Sequence, residues 1–187
     1  MLKRTFDIIV CSFLAVLLFV PMVVIAIVVK ASSAGPVLFW SDRVGRDNQL
    51  FSMPKFRTMR IDAPLTATHL LEDPQSFITP VGRFLRRTSA DEFPQIYTII
   101  IGQMSLVGPR PALFNQDDLI ALRTEKGVHK LRPGLTGLAQ IRGRDEISIP
   151  DKVALDEEYL QKRSVLLDTR IILETFLHIF QPKNVSH

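Results

Sequence analysis

The feature that most constrains this chain is an apolar run near its start: no charged residue occurs from Ile8 to Val29. A straight helix of that length reaches across the roughly 30 Å hydrocarbon layer of a bilayer. Lys3 and Arg4 precede the run and Lys30 follows it. Because both flanks are positive, the positive-inside rule selects no orientation. The sequence therefore predicts a membrane helix and leaves its orientation open.

Pro21 lies near the middle of this run. A proline inside a helix removes one backbone hydrogen bond and clashes with the preceding turn, so it predicts a kink. The helix either spans the bilayer with a bend or breaks and returns to the side from which it entered. Sequence physics favours the spanning helix, because kinked spanning helices are common. A signal peptide is the third alternative, although the apolar run is longer than a usual signal core.

The rest of the chain is long enough for one domain of ordinary size. Hydrophobic residues make up 47% of 187 residues, and those outside the membrane run suffice for a normal core. The net charge of +4 favours an anionic partner such as phospholipid, nucleic acid or a phosphorylated small molecule. Cys11 is the single cysteine, which excludes an intrachain disulfide and agrees with a reducing compartment.

Short strands and basic segments follow the membrane run. Residues 37–40 and 50–53 flank a polar loop and predict a small β-hairpin. In the extended segment that follows, Lys55 and Arg57 share one face. That face is either a phosphate-binding surface or a solvated sheet edge. Residues 62–79 indicate a loop with one short helix, Thr66 to Glu72.

A basic helix is predicted over residues 81–87, with three arginines opposite its apolar side chains. Such a helix suits a membrane surface or an anionic ligand, and a solvated helical face is the alternative.

Two adjacent carboxylates, Asp91 and Glu92, come next. Ser89 and Glu92 have capping-box spacing, so both acids have a purely structural interpretation. Pro94 favours Asp91 as the N-cap, because the proline then falls in the first turn, where its missing N–H costs nothing. The helix dipole there would favour the ionised carboxylates. An ionised carboxylate can attack phosphorus, and its neighbour can hold Mg²⁺.

Pro109-Arg110-Pro111 presents a guanidinium on a backbone fixed from both sides, which favours anion recognition. Farther on, the pattern predicts three helices and one short strand; these are a helix at 115–126, a strand at Ala139 to Ile141, a helix at 150–163 and a helix at 164–180 with Ser164 as N-cap. There is no glycine-rich phosphate loop, no His/Cys metal spacing and no internal repeat. The basic residues are dispersed, which argues against nucleic acid as a partner.

In order, these motifs resemble the bacterial sugar transferase family, the monotopic phosphoglycosyl transferases, in its minimal form. The resemblance covers nearly the whole chain and is carried by Lys3-Arg4-x-x-Asp7, Pro21, Gly35-Pro36, Lys55-Phe56-Arg57-Thr58-Met59, Thr88-Ser89-x-Asp91-Glu92-x-Pro94-Gln95, Met104-Ser105-x-Val107-Gly108-Pro109-Arg110-Pro111, Arg132-Pro133-Gly134-x-Thr136-Gly137, Tyr159 and Asp168.

The resemblance implies an α+β, mostly helical fold with two parts. Residues 1–34 would form a re-entrant membrane helix kinked at Pro21, which replaces the preference for a spanning helix. Residues 35–187 would form a cytoplasmic catalytic domain with interfacial amphipathic helices and a small β-hairpin, lying on the inner leaflet of the bacterial plasma membrane.

The resemblance also implies a reaction. Asp91 would attack the β-phosphate of a UDP-sugar, release UMP and pass the phosphosugar to polyprenyl phosphate. Glu92, together with Asp91, would bind Mg²⁺. The implied substrate-binding residues are Lys55, Arg57, Arg87, Pro109, Arg110, Pro111, Arg144 and Asp168. The rival hypothesis is a catalytically silent membrane adaptor.

Overall fold

The computed structural model describes residues 2–63, 74–143 and 147–180. The helix predicted over Thr66 to Glu72 lies outside these ranges. The described chain contains seven α-helices and five short strands, so the predicted mostly helical α+β class is confirmed.

The membrane run forms one long helix, α1 (Leu2–Ser32), which stays helical through Pro21. Within the described chain it is the one helix long and apolar enough to cross a membrane. Its first half packs through Phe6, Val10 and Cys11 on one core cluster, which includes Ile99. Its last turns pack elsewhere, through Val29 on a second cluster.

The opposite face of α1 is apolar and exposed along its length. Phe13, Val16, Phe19, Val20 and Ile27 are each more than 60% exposed. Because burial of such side chains is worth about 1.5–3 kcal/mol each, an apolar environment outside the described chain would stabilise this face.

The predicted hairpin is confirmed. Strands β1 (Leu38–Val44) and β2 (Leu50–Phe56) pair antiparallel. A short 3₁₀ helix, Arg46–Asn48, turns the chain between them, with left-handed φ angles at Asp47 and Asn48, which Asp and Asn tolerate better than most residues. A later strand, β4 (Ala112–Leu113), adds to the free side of β1.

Helix α2 (Pro80–Thr88) begins with Thr79 as N-cap, and Gly82 lies against the backbone of Thr58. Ser89 ends α2 in a left-handed conformation at φ 56°. A 3₁₀ helix, Ala90–Gln95, follows at once and continues into α3 (Ile96–Ile100).

The predicted register at the acidic pair is therefore wrong: Asp91 lies inside the 3₁₀ helix and is not its N-cap. Ser89 makes no side-chain cap bond either, so the capping box does not form. The physical reason is the left-handed Ser89, which turns the chain directly from one helix into the next and leaves no extended residue at position 91.

Two strands form a parallel pair beneath this region: β3 (Ser105–Val107) and β5 (Gly134–Thr136). A Cβ added to Gly134 would lie 2.1 Å from the Gly108 nitrogen, so the two backbones touch where only glycine fits.

The remaining helices are α4 (Asp117–Glu125), α5 (Leu138–Gly143), α6 (Ile149–Lys162) and α7 (Val165–Phe180). The strand predicted at Ala139 to Ile141 is wrong, since these residues belong to α5. A three-residue apolar run fits either periodicity, and the packing of α5 on α6 and α7 decides for the helix. Ser164 caps α7 as predicted, accepting the Leu167 N–H at 3.1 Å.

Candidate active site

The two adjacent carboxylates lie on the 3₁₀ helix that follows α2. Asp91 is 9% exposed. Glu92 turns toward the end of strand β2, where Lys55 Nζ lies 2.7 Å from its Oε1. Arg110 Nη2 approaches the same oxygen at 3.5 Å. The structure thus brings together four residues that the sequence analysis assigned to one site.

Each partner of Glu92 is positioned by a different element. Lys55 is the penultimate residue of β2 and pairs with Phe39 across the hairpin. Arg110 stands between the buried Pro109 and Pro111 in the segment joining β3 to β4. Its backbone is fixed on both sides because the Pro109 carbonyl accepts the Gly134 N–H at 2.8 Å and the Arg110 carbonyl accepts from Arg123 at 2.8 Å.

The two carboxylates have different electrostatic surroundings. Burial raises the pKa of Asp91, and the nearby Lys55 reverses only part of that effect. Burial would also raise the pKa of Glu92, but Lys55 and Arg110 outweigh it and hold that pKa below its usual range. Neighbouring carboxylates shifted in opposite directions are typical of sites that need two roles. The sequence predicted that a helix dipole would favour the ionised form of Asp91. Burial has the larger effect and raises the pKa of this carboxyl instead.

A cleft next to Glu92 is lined by residues from both strands of the hairpin, from the 3₁₀ helix and from the segment around Arg110. Its lining residues are Arg43, Met53, Lys55, Glu92, Gln95, Arg110, Pro111, Gly134 and Leu135. Sequence reasoning did not identify Arg43, on β1. Burial and the neighbouring Arg110 lower the pKa of Arg43 to about 10, so this guanidinium remains charged at neutral pH.

Arg86 is a second arginine that the sequence analysis did not single out from its basic helix. Its Nε donates to Thr58 Oγ1 at 2.8 Å, which fixes the side chain. Burial lowers its pKa, and the charge of Asp91 acts in the opposite direction. Arg86 is therefore an arginine of this helix whose charge acts on Asp91, and it adds to the predicted Arg87.

Arg87 itself is exposed, with its guanidinium 5.9 Å from the ring centroid of Phe84. Arg57 is buried and donates to the carbonyls of Ser33 and Ala34 at the end of α1. The structure thus gives Arg57 a structural role, in tying the end of α1 to the hairpin. Substrate binding by either arginine stays a prediction, and Arg144 lies outside the described residues.

Asp168 belongs to a separate buried network. It accepts hydrogen bonds from Lys3 Nζ and from the Tyr159 hydroxyl, both at 2.6 Å. Tyr159 also donates to the Val107 carbonyl at 3.2 Å. Asp7 accepts from Ser105 Oγ at 2.8 Å on the same strand. These contacts join α1, α6 and α7 to β3, the strand that leads to Pro109 and Arg110.

A buried ion pair between Arg123 and Asp156 helps to fix the backbone at Arg110. Arg123, 7% exposed, donates through Nε and Nη2 to Asp156 Oδ2 at 2.9 and 2.6 Å. Its Nη1 donates to the Arg110 carbonyl. Asp156 is 2% exposed, and burial raises its pKa against the opposing charge of Arg123. Nothing in the sequence marks this pair, because charged residues on predicted surface helices are usually solvated.

The donor set at the acidic pair fits a hard divalent cation. Within the described chain, no group of three His, Cys, Asp or Glu residues is arranged as a self-sufficient metal site. Mg²⁺ commonly binds through one or two carboxylates and completes its shell with water and substrate phosphates. Asp91 and Glu92 offer oxygens of that kind.

Comparison with known proteins identifies relatives over the whole described chain. The profile of the family described as bacterial sugar transferase matches residues 1–182. The exopolysaccharide production protein ExoY of Rhizobium meliloti (strain 1021) is 40% identical over 94% of this chain and 84% of its own length. The UDP-glucose:undecaprenyl-phosphate glucose-1-phosphate transferase of Escherichia coli (strain K12) is 37% identical over 97% of this chain.

The undecaprenyl-phosphate glucose phosphotransferase of Komagataeibacter xylinus is 39% identical over 92% of this chain. The chain spans only 40% and 35% of the lengths of these last two relatives. The similarity therefore concerns the part of each enzyme that corresponds to α1 and the domain described above.

Proposed function

The chain belongs to the bacterial sugar transferase family, and from that premise we propose that it transfers a sugar 1-phosphate from a UDP-sugar to polyprenyl phosphate and releases UMP. The product, a polyprenyl-diphosphate sugar, would begin the assembly of a glycoconjugate. The observation that carries the proposal is the buried Asp91 beside Glu92, whose carboxylate is neutralised by Lys55 and Arg110.

The first half of the reaction uses Asp91 as nucleophile. A carboxylate oxygen of Asp91 attacks the β-phosphorus of the UDP-sugar, and the bond from that phosphorus to the bridging oxygen breaks. UMP leaves with that oxygen, and the enzyme keeps the phosphosugar as an acyl phosphate. Burial of Asp91 raises its pKa, which makes the ionised carboxylate a stronger base and nucleophile than a solvated one.

In the second half, an oxygen of polyprenyl phosphate attacks the same phosphorus. The acyl phosphate bond breaks, Asp91 regains its carboxylate, and the lipid leaves as a diphosphate sugar. Both halves bring an anion to a site that already contains two carboxylates. Lys55 and Arg110 lower that electrostatic cost by holding positive charge against Glu92.

Mg²⁺ is the proposed cofactor. Glu92, with Asp91, would hold it, and when bound it would neutralise charge on the diphosphate and so favour departure of UMP.

The proposed location is the cytoplasmic face of the bacterial plasma membrane, with α1 re-entrant. The packing of α1 supports its re-entry, because both ends pack on the same described domain: Phe6 and Val10 near Ile99, and Val29 near Phe56. A helix that spanned the bilayer would leave one end on the far side from that domain. Exposed Leu173 and Phe176 on α7 and Ile101 after α3 offer further apolar surface to the membrane.

The decisive experiment measures UMP release and covalent modification of Asp91. The purified protein in detergent or nanodiscs is incubated with Mg²⁺ and a panel of UDP-sugars, and UMP release is measured. The expected result with the reactive UDP-sugar is UMP release, and mass spectrometry of a peptide containing Asp91 shows an added phosphosugar. Asp91→Asn, which keeps the shape and removes the nucleophile, should abolish both signals.

Asp118→Asn, an exposed substitution at the start of α4, is the matched control and should leave UMP release unchanged. Full activity in Asp91→Asn would refute the covalent mechanism. Absence of UMP release by the wild-type protein with every UDP-sugar would favour the adaptor hypothesis instead.

A further inference from the structure

The cleft beside Glu92 contains more positive than negative charge. Arg43, Lys55 and Arg110 line it, and Glu92 is the one carboxylate among its lining residues. Lys55 and Arg110 both approach Oε1 of Glu92, so this carboxylate is already shared by two cations. The third cation, Arg43, makes no ion pair within the described chain, although the charge of Glu92 acts on it.

The hydrogen bonds of Arg43 within the described chain go to neutral groups. Its Nε donates to Ser41 Oγ at 3.1 Å, and its Nη1 donates to the Pro111 carbonyl at 3.4 Å. Over the described residues, no carboxylate oxygen comes within the 4.0 Å ion-pair distance of Arg43. A partly buried guanidinium beside another arginine is costly unless an anion joins them.

The position of Arg43 is fixed by the sheet. Arg43 pairs with Leu113 of β4, and its Nη1 reaches the carbonyl of Pro111, the residue that follows Arg110. The side chains of Arg43 and Arg110 therefore line one cleft. Two planar forks arranged around one cleft suit the several oxygens of a phosphoryl group.

The amide of Gln95 lies in the same cleft. Its side chain is 2% exposed and lines the same cleft beside Glu92. Its hydrogen bond to Glu92 helps to hold the pKa of that carboxyl below its usual range. Lys55, Arg110 and Gln95 thus all act on Glu92, and Arg43 is the cation of the cleft that pairs with no carboxylate within the described chain.

We propose that Arg43 is a phosphate-binding residue of this site, and that its guanidinium together with that of Arg110 takes a phosphoryl group of a substrate. The inference rests on the proposed function and adds to it a residue that the motifs of the sequence did not identify. The phosphoryl group belongs either to the diphosphate of the UDP-sugar or to polyprenyl phosphate, and the experiment separates the two sources.

The test combines equilibrium binding with kinetics. Arg43→Gln removes the charge, and Arg43→Lys keeps the charge but loses the fork. Binding of UDP and of a short-chain polyprenyl phosphate is measured by calorimetry on detergent-solubilised full-length protein. The KM values for UDP-sugar and for polyprenyl phosphate are then determined separately in steady-state assays.

Arg46→Gln is the matched control, because it removes the same charge from the turn of the same hairpin. The Arg46 side chain is 55% exposed and pairs with Asp47 outside the cleft. Thermal unfolding of each variant establishes that it is folded. If Arg43→Gln does not fold, Arg43→Lys is used for the same measurements.

Arg43→Gln should weaken one of the two ligands roughly 10- to 100-fold, as expected for one lost charge-assisted hydrogen bond. Arg43→Lys should recover part of that loss, and Arg46→Gln should bind like wild type. A weaker UDP interaction identifies the donor diphosphate as the source, and a weaker polyprenyl phosphate interaction identifies the acceptor.

Unchanged affinity and KM for both ligands in a folded Arg43 variant would overturn the inference while leaving the Asp91 mechanism intact. A wild-type protein that binds neither ligand would overturn it as well. The proposed function is tested separately. It fails if the wild-type protein gives no UMP release and no adduct at Asp91, whatever the result for the Arg43 variants.

Discussion

Lys55 Nζ lies 2.7 Å from Oε1 of Glu92, so a residue at the end of the hairpin neutralises the acid next to the proposed nucleophile. Lys55 also acts on Asp91, where it is the strongest of the influences that oppose the effect of burial on the pKa. One lysine therefore controls the protonation of both carboxylates. The two neighbours differ because Arg110 and hydrogen bonds from Lys55 and Gln95 also lower the pKa of Glu92, whereas burial prevails at Asp91 and raises its pKa.

Removing Lys55 should shift the pH profile of the enzyme upward. Burial raises the pKa of Asp91, and without Lys55 that pKa rises further. The reactive form is the ionised carboxylate, which is lost as the pH falls through this pKa, so the acidic limb must move to higher pH. In Lys55→Met, we expect kcat/KM for UMP release to fall roughly tenfold or more at neutral pH and to recover partly as the pH is raised.

Lys55→Arg is the control, because it keeps a positive charge near Glu92 and should leave the acidic limb close to its wild-type position. An unshifted limb in a folded Lys55→Met variant would contradict the electrostatic role assigned to this lysine.

The ion pair of Arg123 and Asp156 should be important for stability. Both side chains are buried, and Arg123 Nη2 lies 2.6 Å from Asp156 Oδ2. Removing either partner leaves a buried charge without compensation, so Arg123→Met or Asp156→Leu should each cost about 3–5 kcal/mol of the free energy of unfolding. The double variant should cost less than the sum of the two, which a double-mutant cycle from denaturant unfolding would measure.

The two single variants should differ in activity. Arg123 also donates to the Arg110 carbonyl, so its loss should lower activity at a temperature where the variant is fully folded. Additive stability effects in the cycle would show that the two groups do not interact as the distance indicates.

The sequence predicted those elements whose signals are local. Two short, mainly apolar runs and the polar loop between them were enough for the β-hairpin, and Ser164 marked the start of α7. The strand predicted at Ala139 to Ile141 was wrong, because a segment of three residues is too brief to distinguish a strand from a helix. The left-handed Ser89 has no local signal, so the register at Asp91 was wrong.

The site residues that belong to sequence motifs were predicted, and those outside the motifs were not. The motifs indicated Asp91, Glu92, Lys55 and Arg110, which the structure brings together. Arg43, Arg86 and Arg123 were missed, because an arginine is recognisable as buried only when the partners around it are known. Those partners come from other strands and helices, and a single sequence does not show which elements meet.

Gly134 should be required for activity because of its contact with Gly108. A Cβ at position 134 would lie 2.1 Å from the Gly108 nitrogen and must push the backbone before Pro109 away. Gly134 also lines the cleft. We expect Gly134→Ala to cost roughly 1–3 kcal/mol of the free energy of unfolding and to lower kcat/KM for UMP release by displacing Arg110.

Gly127→Ala is the matched control. Gly127 has a φ of +72°, but no atom lies within 4 Å of the added Cβ, so this variant should lose about 1 kcal/mol of stability through backbone strain alone. Its activity at a temperature where it is folded should equal that of wild type. Wild-type activity in Gly134→Ala would show that the segment around Arg110 tolerates displacement.

The topology of α1 can be tested by labelling its two ends. Leu2 is 76% exposed, and Ala31 is exposed in the last turn. In a Cys11→Ser background, which lacks other cysteines, Leu2→Cys and Ala31→Cys are labelled with a membrane-impermeant maleimide in inside-out and right-side-out vesicles. Because both ends of α1 pack on one domain, both cysteines should react only in inside-out vesicles.

Asp118→Cys, at the exposed start of α4, reports the side on which the domain itself lies and should give the same labelling pattern. Labelling of Leu2→Cys and Ala31→Cys from opposite sides would establish a spanning helix. In that case one end of α1 would have to separate from the domain when the protein enters the membrane. Phe6 and Val29 could not both keep their contacts with one domain if roughly 30 Å of hydrocarbon lay between them.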